Sequence, residues 1–218
     1  MNVGEKLVLL PEVGKIEFAD KDLHNLTKLV YSPFAGLFYR KRYAMITKFL
    51  KSDYGLILEI GFGPGIFLPT LAKRCRRLYG LDIHQDISKV YAALENKVRN
   101  FSPLWGDLTR IPIRENSFDV IICQSVLEHV EDLKTAFGEM ERVLKDNGAV
   151  ILGFPLKNIV TKSLLALIGY NDSDIHPSSH TDILKHALRA FTVETQQYYP
   201  SWCGNLGLYY IGVFKKKS

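Results

Sequence analysis

Short apolar runs alternate along the chain with stretches whose apolar positions recur at helical spacing. Buried parallel strands have the first pattern, and the helices that connect them have the second. The run at 118–123 is apolar at nearly every position, as expected for a strand buried on both faces of a sheet. The pattern predicts strands at 56–60, 78–82, 101–105, 118–123 and 149–154, with helices at 38–50, 66–75, 85–98 and 133–144.

The two ends of the chain have weaker patterns. Residues 1–24 are predicted to be an irregular lead-in or a short helix, and Thr181 is predicted to cap a helix that runs through Leu188. Runs at 191–199 and 206–214 predict a closing strand pair. At 218 residues the chain suits one domain. We predict a helical cap segment at 1–50, a core at 51–155, a lid-like insertion at 156–180 and a closing helix and strand pair at 181–218.

The first strand runs into a turn with three alternating glycines, Gly61, Gly63 and Gly65. Glycine adopts positive φ at little cost and lets a ligand approach the main chain. A helix is predicted to begin near Pro64, so the turn and the helix N-terminus would form a crevice in which backbone N–H groups face a polar ligand. The dinucleotide fingerprint G-x-G-x-x-G needs glycine where this chain has Ile66. A turn that serves only chain reversal is the alternative.

An acidic residue ends the second strand. Asp82 follows Gly61 by 21 positions, which is the separation that one strand-helix-strand unit needs. Its carboxylate can accept hydrogen bonds from both vicinal hydroxyls of a ribose. Alone, such a residue is more often the cap of the next helix. Beside a glycine turn, ribose binding is favoured.

The segment from Glu59 through the three glycines, together with Asp82, resembles the first motifs of class I S-adenosylmethionine-dependent methyltransferases. The segment Gln124–Val130 resembles the small-molecule methyltransferases of type 11, which include quinone-pathway enzymes, and the likeness covers residues 30–155. The resemblance implies an α/β fold that is Rossmann-like and doubly wound, with a mostly parallel seven-stranded sheet, an antiparallel last strand and helices on both faces. It also implies S-adenosyl-L-methionine as methyl donor and S-adenosyl-L-homocysteine as product.

The resemblance further assigns roles at successive strand ends. Asp107 would accept from the adenine amino group, and the N–H of Leu108 would meet a ring nitrogen, although a Gly-Asp turn is the alternative there. Tyr31 lies in an aromatic segment like the one that related enzymes fold over the cofactor, with core packing equally open. The implied cofactor-binding residues are Glu59, Gly61, Phe62, Gly63, Gly65, Asp82, Ile83, Asp107, Leu108, Gln124, Ser125 and Tyr31.

Methyl transfer requires alignment of the acceptor, and a hydroxyl acceptor of high pKa also needs a general base. His129 is the catalytic candidate, because the matching histidine of related enzymes lies near the sulfonium or the acceptor. Alternatively, His129 only holds its loop through Glu128 or a backbone carbonyl. His176 and His180 are the other candidates. Ser125 stands where some related O-methyltransferases have a metal-binding carboxylate, and the histidines lack ligand spacing, so no metal site is predicted.

The composition of the chain limits which classes of binding partner and which cellular location are expected. The net charge of +5, with 47% hydrophobic and 23% charged residues, is that of an ordinary globular protein. Three separated cysteines suit a reduced, cytoplasmic location, and no apolar run is long enough to span a membrane. A basic stripe interleaved with aromatics is missing, so no nucleic-acid partner is expected. The apolar stretch 159–168 favours an uncharged or lipophilic small acceptor, with a lid or dimer surface as the alternative.

These observations predict a methyltransferase that uses S-adenosylmethionine and transfers the methyl group in line to a small acceptor molecule. Two alternatives stay open. One is a non-catalytic cofactor-binding protein of the same fold. The other, against which the glycine spacing speaks, is an NAD-dependent oxidoreductase.

Overall fold

The computed structural model describes residues 7–33, 36–156, 158 and 177–217. The chain forms two compact units, Met1–Asp107 and Leu108–Ser218. The apolar stretch 159–168 and the candidate His176 lie outside the described residues. Within the described ranges, none of the helices combines the length and the apolar character that a bilayer crossing requires.

Three parallel strands form the sheet of the first unit. They are β1 (Tyr54–Ile60), β2 (Cys75–Asp82) and β3 (Phe101–Trp105), in the order β3-β2-β1. The second half of β1 is fully buried, as its apolar run predicts. Because the strands are parallel, the loops that leave β1, β2 and β3 emerge at one edge of this sheet, its carboxyl edge.

The helices of the first unit pack along these strands. Asp20 caps the first helix, since its side chain accepts from the backbone nitrogens of Asp22 and Leu23. The helix between β2 and β3 buries Val90 and Leu94. The helices described in this unit are α1 (Lys21–Tyr31), α2 (Gly36–Thr47), α3 (Leu68–Ala72) and α4 (Ile87–Leu94).

Four strands form the sheet of the second unit in the order β4-β5-β7-β6. Strand β5 is parallel to β4, and β7 is antiparallel to both β5 and β6. The elements are β4 (Phe118–Gln124), α5 (Leu133–Val143), β5 (Leu144–Pro155), α6 (His180–Ala190), β6 (Phe191–Tyr199) and β7 (Tyr209–Lys216). The predicted fold class, a mostly parallel seven-stranded sheet with an antiparallel last strand and helices, is confirmed.

The helix after the glycine turn differs from the prediction. It begins at Leu68 instead of near Pro64, and it has only 5 residues. The cause is the positive φ of Gly65, 77°, which no right-handed helix accommodates. Pro69 lies in the first turn of α3, where its missing N–H is tolerated. Cys75, predicted to end this helix, already begins β2.

Residues 1–24, predicted as an irregular lead-in or a short helix, contain a short 3-10 turn, Val13–Lys15, and the start of α1 at Lys21. The cap of α6 was predicted wrongly. Ser179, and not Thr181, caps α6. The Ser179 side chain accepts from the backbone nitrogen of Asp182, and the Asp182 side chain accepts from the backbone nitrogen of Ser179. This reciprocal pair satisfies two otherwise free N–H groups, which the single hydroxyl of Thr181 cannot do.

Candidate functional site

The turn after β1 requires glycine at all three alternate positions. Gly61, Gly63 and Gly65 have φ values of 67°, 49° and 77°, in the left-handed region that L side chains rarely adopt. At Gly65 a Cβ would also lie 2.6 Å from Cγ1 of Val90. At Gly63 it would lie 3.3 Å from Cδ2 of Leu23 on α1. The glycines therefore permit both the backbone path and the close approach of the two neighbouring helices.

The N–H groups of these glycines donate inside the protein. Gly61 donates to the carbonyl of Leu81 at 2.8 Å and Gly65 to the carbonyl of Phe62 at 2.9 Å. Gly63 donates to Oδ2 of Asp82 at 2.7 Å. The N–H groups of these three glycines are therefore used within the fold, and any backbone N–H that faces a ligand in this crevice belongs to another residue.

Asp82 is the acidic partner of the turn. Besides accepting from Gly63, it accepts through Oδ1 from the backbone nitrogens of Ile83 at 2.7 Å and His84 at 3.3 Å. Its side chain is 12% exposed, so part of the carboxylate still faces solvent. A carboxylate has about four acceptor sites, so these three bonds leave one site on Oδ2. Asp82 can therefore hold the turn and bind a hydroxylated ligand at the same time.

Neighbouring strand ends bring two more predicted residues to this edge. The backbone nitrogen of Gly106 donates to the carbonyl of Asp82 at 3.0 Å, which fixes the start of the loop that carries Asp107. Ile83 is 64% exposed, and the indole nitrogen of Trp105 donates to the Ile83 carbonyl at 3.2 Å. An apolar side chain and an apolar ring thus stand beside Asp82, open to solvent.

Glu59 is buried two residues before the turn. It is 5% exposed, and its Oε2 has no hydrogen-bond partner among the described residues. Burial raises the pKa of the Glu59 carboxyl well above its ordinary value, and the negative charge of Asp82 raises it further. A cationic group that approached Glu59 would stabilise its ionised form.

Two other predicted residues of this unit make packing contacts. The hydroxyl of Tyr31 donates to the Leu10 carbonyl at 2.6 Å, and burial raises the pKa of Tyr31 to about 12, with a further contribution from Glu12. Phe62 is 4% exposed, and its ring meets that of Phe101 edge to face.

In the second unit, the segment after β4 begins with a strained residue. Ser125 has a φ of 54°, which is uncommon for a residue with a side chain. Its backbone nitrogen donates to Gly153 at 2.7 Å, and its Oγ lies 2.8 Å from the hydroxyl of Tyr209. The preceding Gln124 is 9% exposed, and its Oε1 is buried without a hydrogen-bond partner among the described residues. Two predicted site residues therefore start this segment in a fixed conformation.

His129 ends a short 3-10 turn, Leu127–His129, and its side chain is exposed. The turn is tied to the residues before α6. Ser178 donates its backbone N–H to the Glu128 carbonyl at 3.3 Å and its hydroxyl to the Val130 carbonyl at 2.6 Å. His180, two residues further, is the first residue of α6. The structure therefore joins the segments of two candidate histidines. Leu108, also predicted, is 5% exposed in the 3-10 turn Leu108–Arg110.

Sequence reasoning missed three residues that support these segments: His84, Ser178 and Tyr209. Each acts through contacts with residues far away in the chain, and a single sequence contains no local signal for them. Among the residues that the structure describes, no group of three or more metal-ligand side chains is found.

A parallel sheet whose first strand ends in a glycine turn, beside an acidic residue at the end of the second strand, is the arrangement that nucleotide-binding α/β folds have at their ligand crevice. Residues 58–152 match the family model described as "Methyltransferase domain". This match covers less than half of the chain, from β1 into β5, and agrees with the resemblance to class I S-adenosylmethionine-dependent methyltransferases.

Individual relatives match parts of the chain. An uncharacterized protein of Methanocaldococcus jannaschii is 31% identical over 140 residues, which cover 62% of this chain and 58% of that protein. The uncharacterized methyltransferase YcgJ of Bacillus subtilis is 30% identical over 98 residues, or 44% of this chain and 39% of that protein. The matches thus span less than two thirds of both relatives.

A solved structure shows the same fold. A protein from Pyrococcus horikoshii OT3 superimposes with a TM-score of 0.69 at 21% sequence identity, covering 86% of this chain and 93% of that chain. At this identity the likeness establishes the fold and no more.

Proposed function

We propose that this protein binds S-adenosylmethionine at the carboxyl edge of the first unit and transfers its methyl group to a small acceptor. The observation that carries the proposal is the clasp between Gly63 and Asp82. It fixes a turn of three left-handed glycines beside a carboxylate that keeps spare acceptor capacity. A turn that only reversed the chain would need neither feature.

The residues present suit such a cofactor. Asp82 would accept from a ribose hydroxyl at the remaining site on Oδ2, with Ile83 against the adenine face and Asp107 accepting from the adenine amino group. The buried, unpartnered Oε2 of Glu59 suits a cationic amino group near the turn. When bound, S-adenosylmethionine supplies a methyl group already activated by its sulfonium, so the protein's task is alignment and exclusion of water.

For the acceptor, we propose His129 as general base when a hydroxyl is methylated. Its imidazole is exposed on a turn held by Ser178, where an incoming molecule can reach it. An amine or carbon acceptor of low pKa would leave this role unused. The proposed acceptor is small and uncharged or lipophilic.

Calorimetric titration with S-adenosylmethionine and S-adenosylhomocysteine tests the cofactor. Wild type should bind both, Gly63→Val should abolish binding, and Asp82→Ala should weaken it. Gly138→Ala is the matched glycine control, because a Cβ there meets nothing within 4 Å. A parallel titration with NAD should show no heat of binding. Undiminished binding in both site variants, or tight NAD binding, would contradict the proposal.

A panel of phenols, amines and carbon acids tests turnover. Product should form with at least one class, and His129→Ala should slow hydroxyl acceptors by roughly 100-fold or more, the usual contribution of a general base, with amines little affected. Cofactor binding without turnover across the panel would instead indicate a non-catalytic member of the fold.

A further inference from the structure

His84 lies two residues beyond the acidic end of β2, and its side chain is 8% exposed. Its ring meets Phe62 edge to face at 5.4 Å between centroids and Phe18 at 6.4 Å. The imidazole is therefore wedged between the glycine turn, which carries Phe62, and the chain that leads into α1, which carries Phe18. Packing holds the ring plane in place.

Hydrogen bonds define which ring nitrogen carries the proton. The backbone nitrogen of Asp86 donates to Nδ1 at 3.1 Å, so Nδ1 is an acceptor. The other nitrogen, Nε2, lies 3.0 Å from the carbonyl oxygen of Gly63, which can only accept. The proton therefore resides on Nε2, and His84 donates to Gly63.

The Gly63 residue is consequently held from both sides. Asp82 accepts from its N–H at 2.7 Å, and His84 donates to its carbonyl. Pro64 follows and has no N–H of its own, so the peptide between Gly63 and Pro64 has its carbonyl as its single hydrogen-bonding group. The bond from His84 fixes the orientation of that peptide, for which glycine at 63 permits several.

The same group of residues also anchors the lead-in to α1. The backbone nitrogen of Ala19 donates to Oδ2 of Asp86 at 2.7 Å, one residue from the Phe18 ring that packs on His84. Lys89 bonds to Oδ1 of Asp86 at 2.8 Å and to the Glu17 carbonyl at 2.8 Å. His84 thus links the glycine turn with the N-terminal segment.

We propose that His84 is a positioning residue for the cofactor turn: through its Nε2–H it sets the orientation of the Gly63 carbonyl and thereby the affinity for the adenosyl cofactor. This inference rests on the proposed function, because it takes the glycine turn as the cofactor site. His84 itself touches no reacting atom. Its effect passes through Gly63.

Three substitutions distinguish the effects of the hydrogen bonds made by the two ring nitrogens of His84. His84→Gln places an amide N–H where Nε2 was, so it keeps the bond to Gly63. His84→Asn places an oxygen where Nδ1 was, so it keeps the bond from Asp86 and loses the one to Gly63. His84→Phe keeps the packing between Phe18 and Phe62 and loses both bonds. The matched control is His186→Asn in α6, a half-buried histidine stacked on Phe137.

Calorimetric titration with S-adenosylhomocysteine should rank the variants. We expect His84→Gln to stay within about threefold of wild type, and His84→Asn and His84→Phe to bind about tenfold more weakly, the size of one lost hydrogen bond. His186→Asn should bind as wild type. If His84→Asn binds as tightly as wild type, or if His84→Gln is as weak as His84→Asn, the inference is wrong.

A second measurement keeps the test independent of the cofactor. Amide hydrogen exchange of the ligand-free proteins should show faster exchange at Gly63 in His84→Asn and His84→Phe than in wild type and His84→Gln. Unchanged Gly63 exchange in all variants would overturn the positioning role. If wild type does not bind the cofactor while the exchange pattern appears as expected, the proposed function fails and the structural role of His84 stands.

Discussion

The glycine turn of the first unit and the β4 exit of the second unit (residues 124–129) both follow a parallel strand. In each, the first residue after the strand has a left-handed backbone conformation, but the two regions stabilise that conformation differently. The turn uses glycine, with Gly61 at a φ of 67°, at almost no cost. The exit uses Ser125 at 54°, held by the hydroxyl of Tyr209, 84 positions away. A local choice of residue fixes the first, and a distant contact fixes the second.

The largest expected effect on stability comes from a substitution in the glycine turn. Gly65→Ala should lower the free energy of unfolding by about 2–5 kcal/mol, because the positive φ costs about 1–2 kcal/mol and overpacking adds about 1–3 kcal/mol. The new Cβ would lie 2.6 Å from Val90. Urea unfolding followed by circular dichroism measures the change.

The same substitution elsewhere is the control. Gly138 lies inside α5, and a Cβ added there would meet nothing within 4 Å, so Gly138→Ala should raise stability by about 0.5–1 kcal/mol. If both variants shift in the same direction, the turn does not depend on its glycines.

A second prediction concerns the charge that clasps the turn. Asp82→Asn should weaken S-adenosylhomocysteine binding by roughly 10–100-fold, since a hydrogen bond to a charged group contributes about 1.5–3 kcal/mol. Asp53→Asn is the control, an exposed residue that also has a positive φ, 66°, and lies before β1 at the opposite strand end. Equal affinities for the two variants would remove Asp82 from the site.

A third prediction compares two buried polar side chains near strand ends. Glu59 lies near the end of β1, before the glycine turn, and Gln124 is the last residue of β4, before the β4 exit. The folded-state pKa of Glu59 is raised, by burial first and then by Asp82. The unfolded chain therefore releases this proton at lower pH than the folded chain does. Above the ordinary value of 4.5, the group destabilises the fold increasingly until the folded carboxyl itself ionises.

Glu59→Gln has no proton to release. The difference in free energy of unfolding, variant minus wild type, should therefore rise as the pH increases from about 4.5. Gln124→Leu should differ from wild type by an amount independent of pH. Denaturant titrations at a series of pH values measure both differences. A flat profile for Glu59→Gln would mean that Glu59 ionises normally in the folded protein.

The contrast between local residue choice and distant contacts also explains which features could be predicted from the sequence. Gly61, Gly63, Gly65 and Asp82 were identified because the conformation they need is encoded locally, in glycines and in an acid at a fixed separation. The strands were placed well for the same reason, since burial of a parallel strand leaves an apolar run.

What sequence reasoning missed depends on the tertiary structure. The contact of His84 with Asp86 is local, but its contact with Gly63, 21 positions away, forms only in the folded protein. Ser178 and Tyr209 likewise meet their partners across long separations. The helix after the turn was placed too early, because the sequence shows three glycines but not that each one has a positive φ.

The smallest predicted effect tests whether Tyr209 is what holds the β4 exit. Tyr209→Phe removes the hydroxyl that lies 2.8 Å from Oγ of Ser125, and it should lower the free energy of unfolding by about 1 kcal/mol, the net value of one hydrogen bond. Combined with Ser125→Gly, the same change should cost about half as much or less, because glycine has no hydroxyl to lose its partner and adopts the positive φ unaided. Urea unfolding of the two single variants and the double variant gives the coupling.

Tyr210→Phe is the matched control for this cycle. Tyr210 is also fully buried, and its hydroxyl donates to Oε1 of Gln196 at 3.0 Å, so its loss should cost a similar amount whether residue 125 is serine or glycine. If Tyr209→Phe is equally costly in both backgrounds, Ser125 keeps its left-handed conformation without Tyr209. The positive φ of residue 125 would then be stabilised locally, as in the glycine turn. The two regions would differ only in the type of residue that adopts the positive φ.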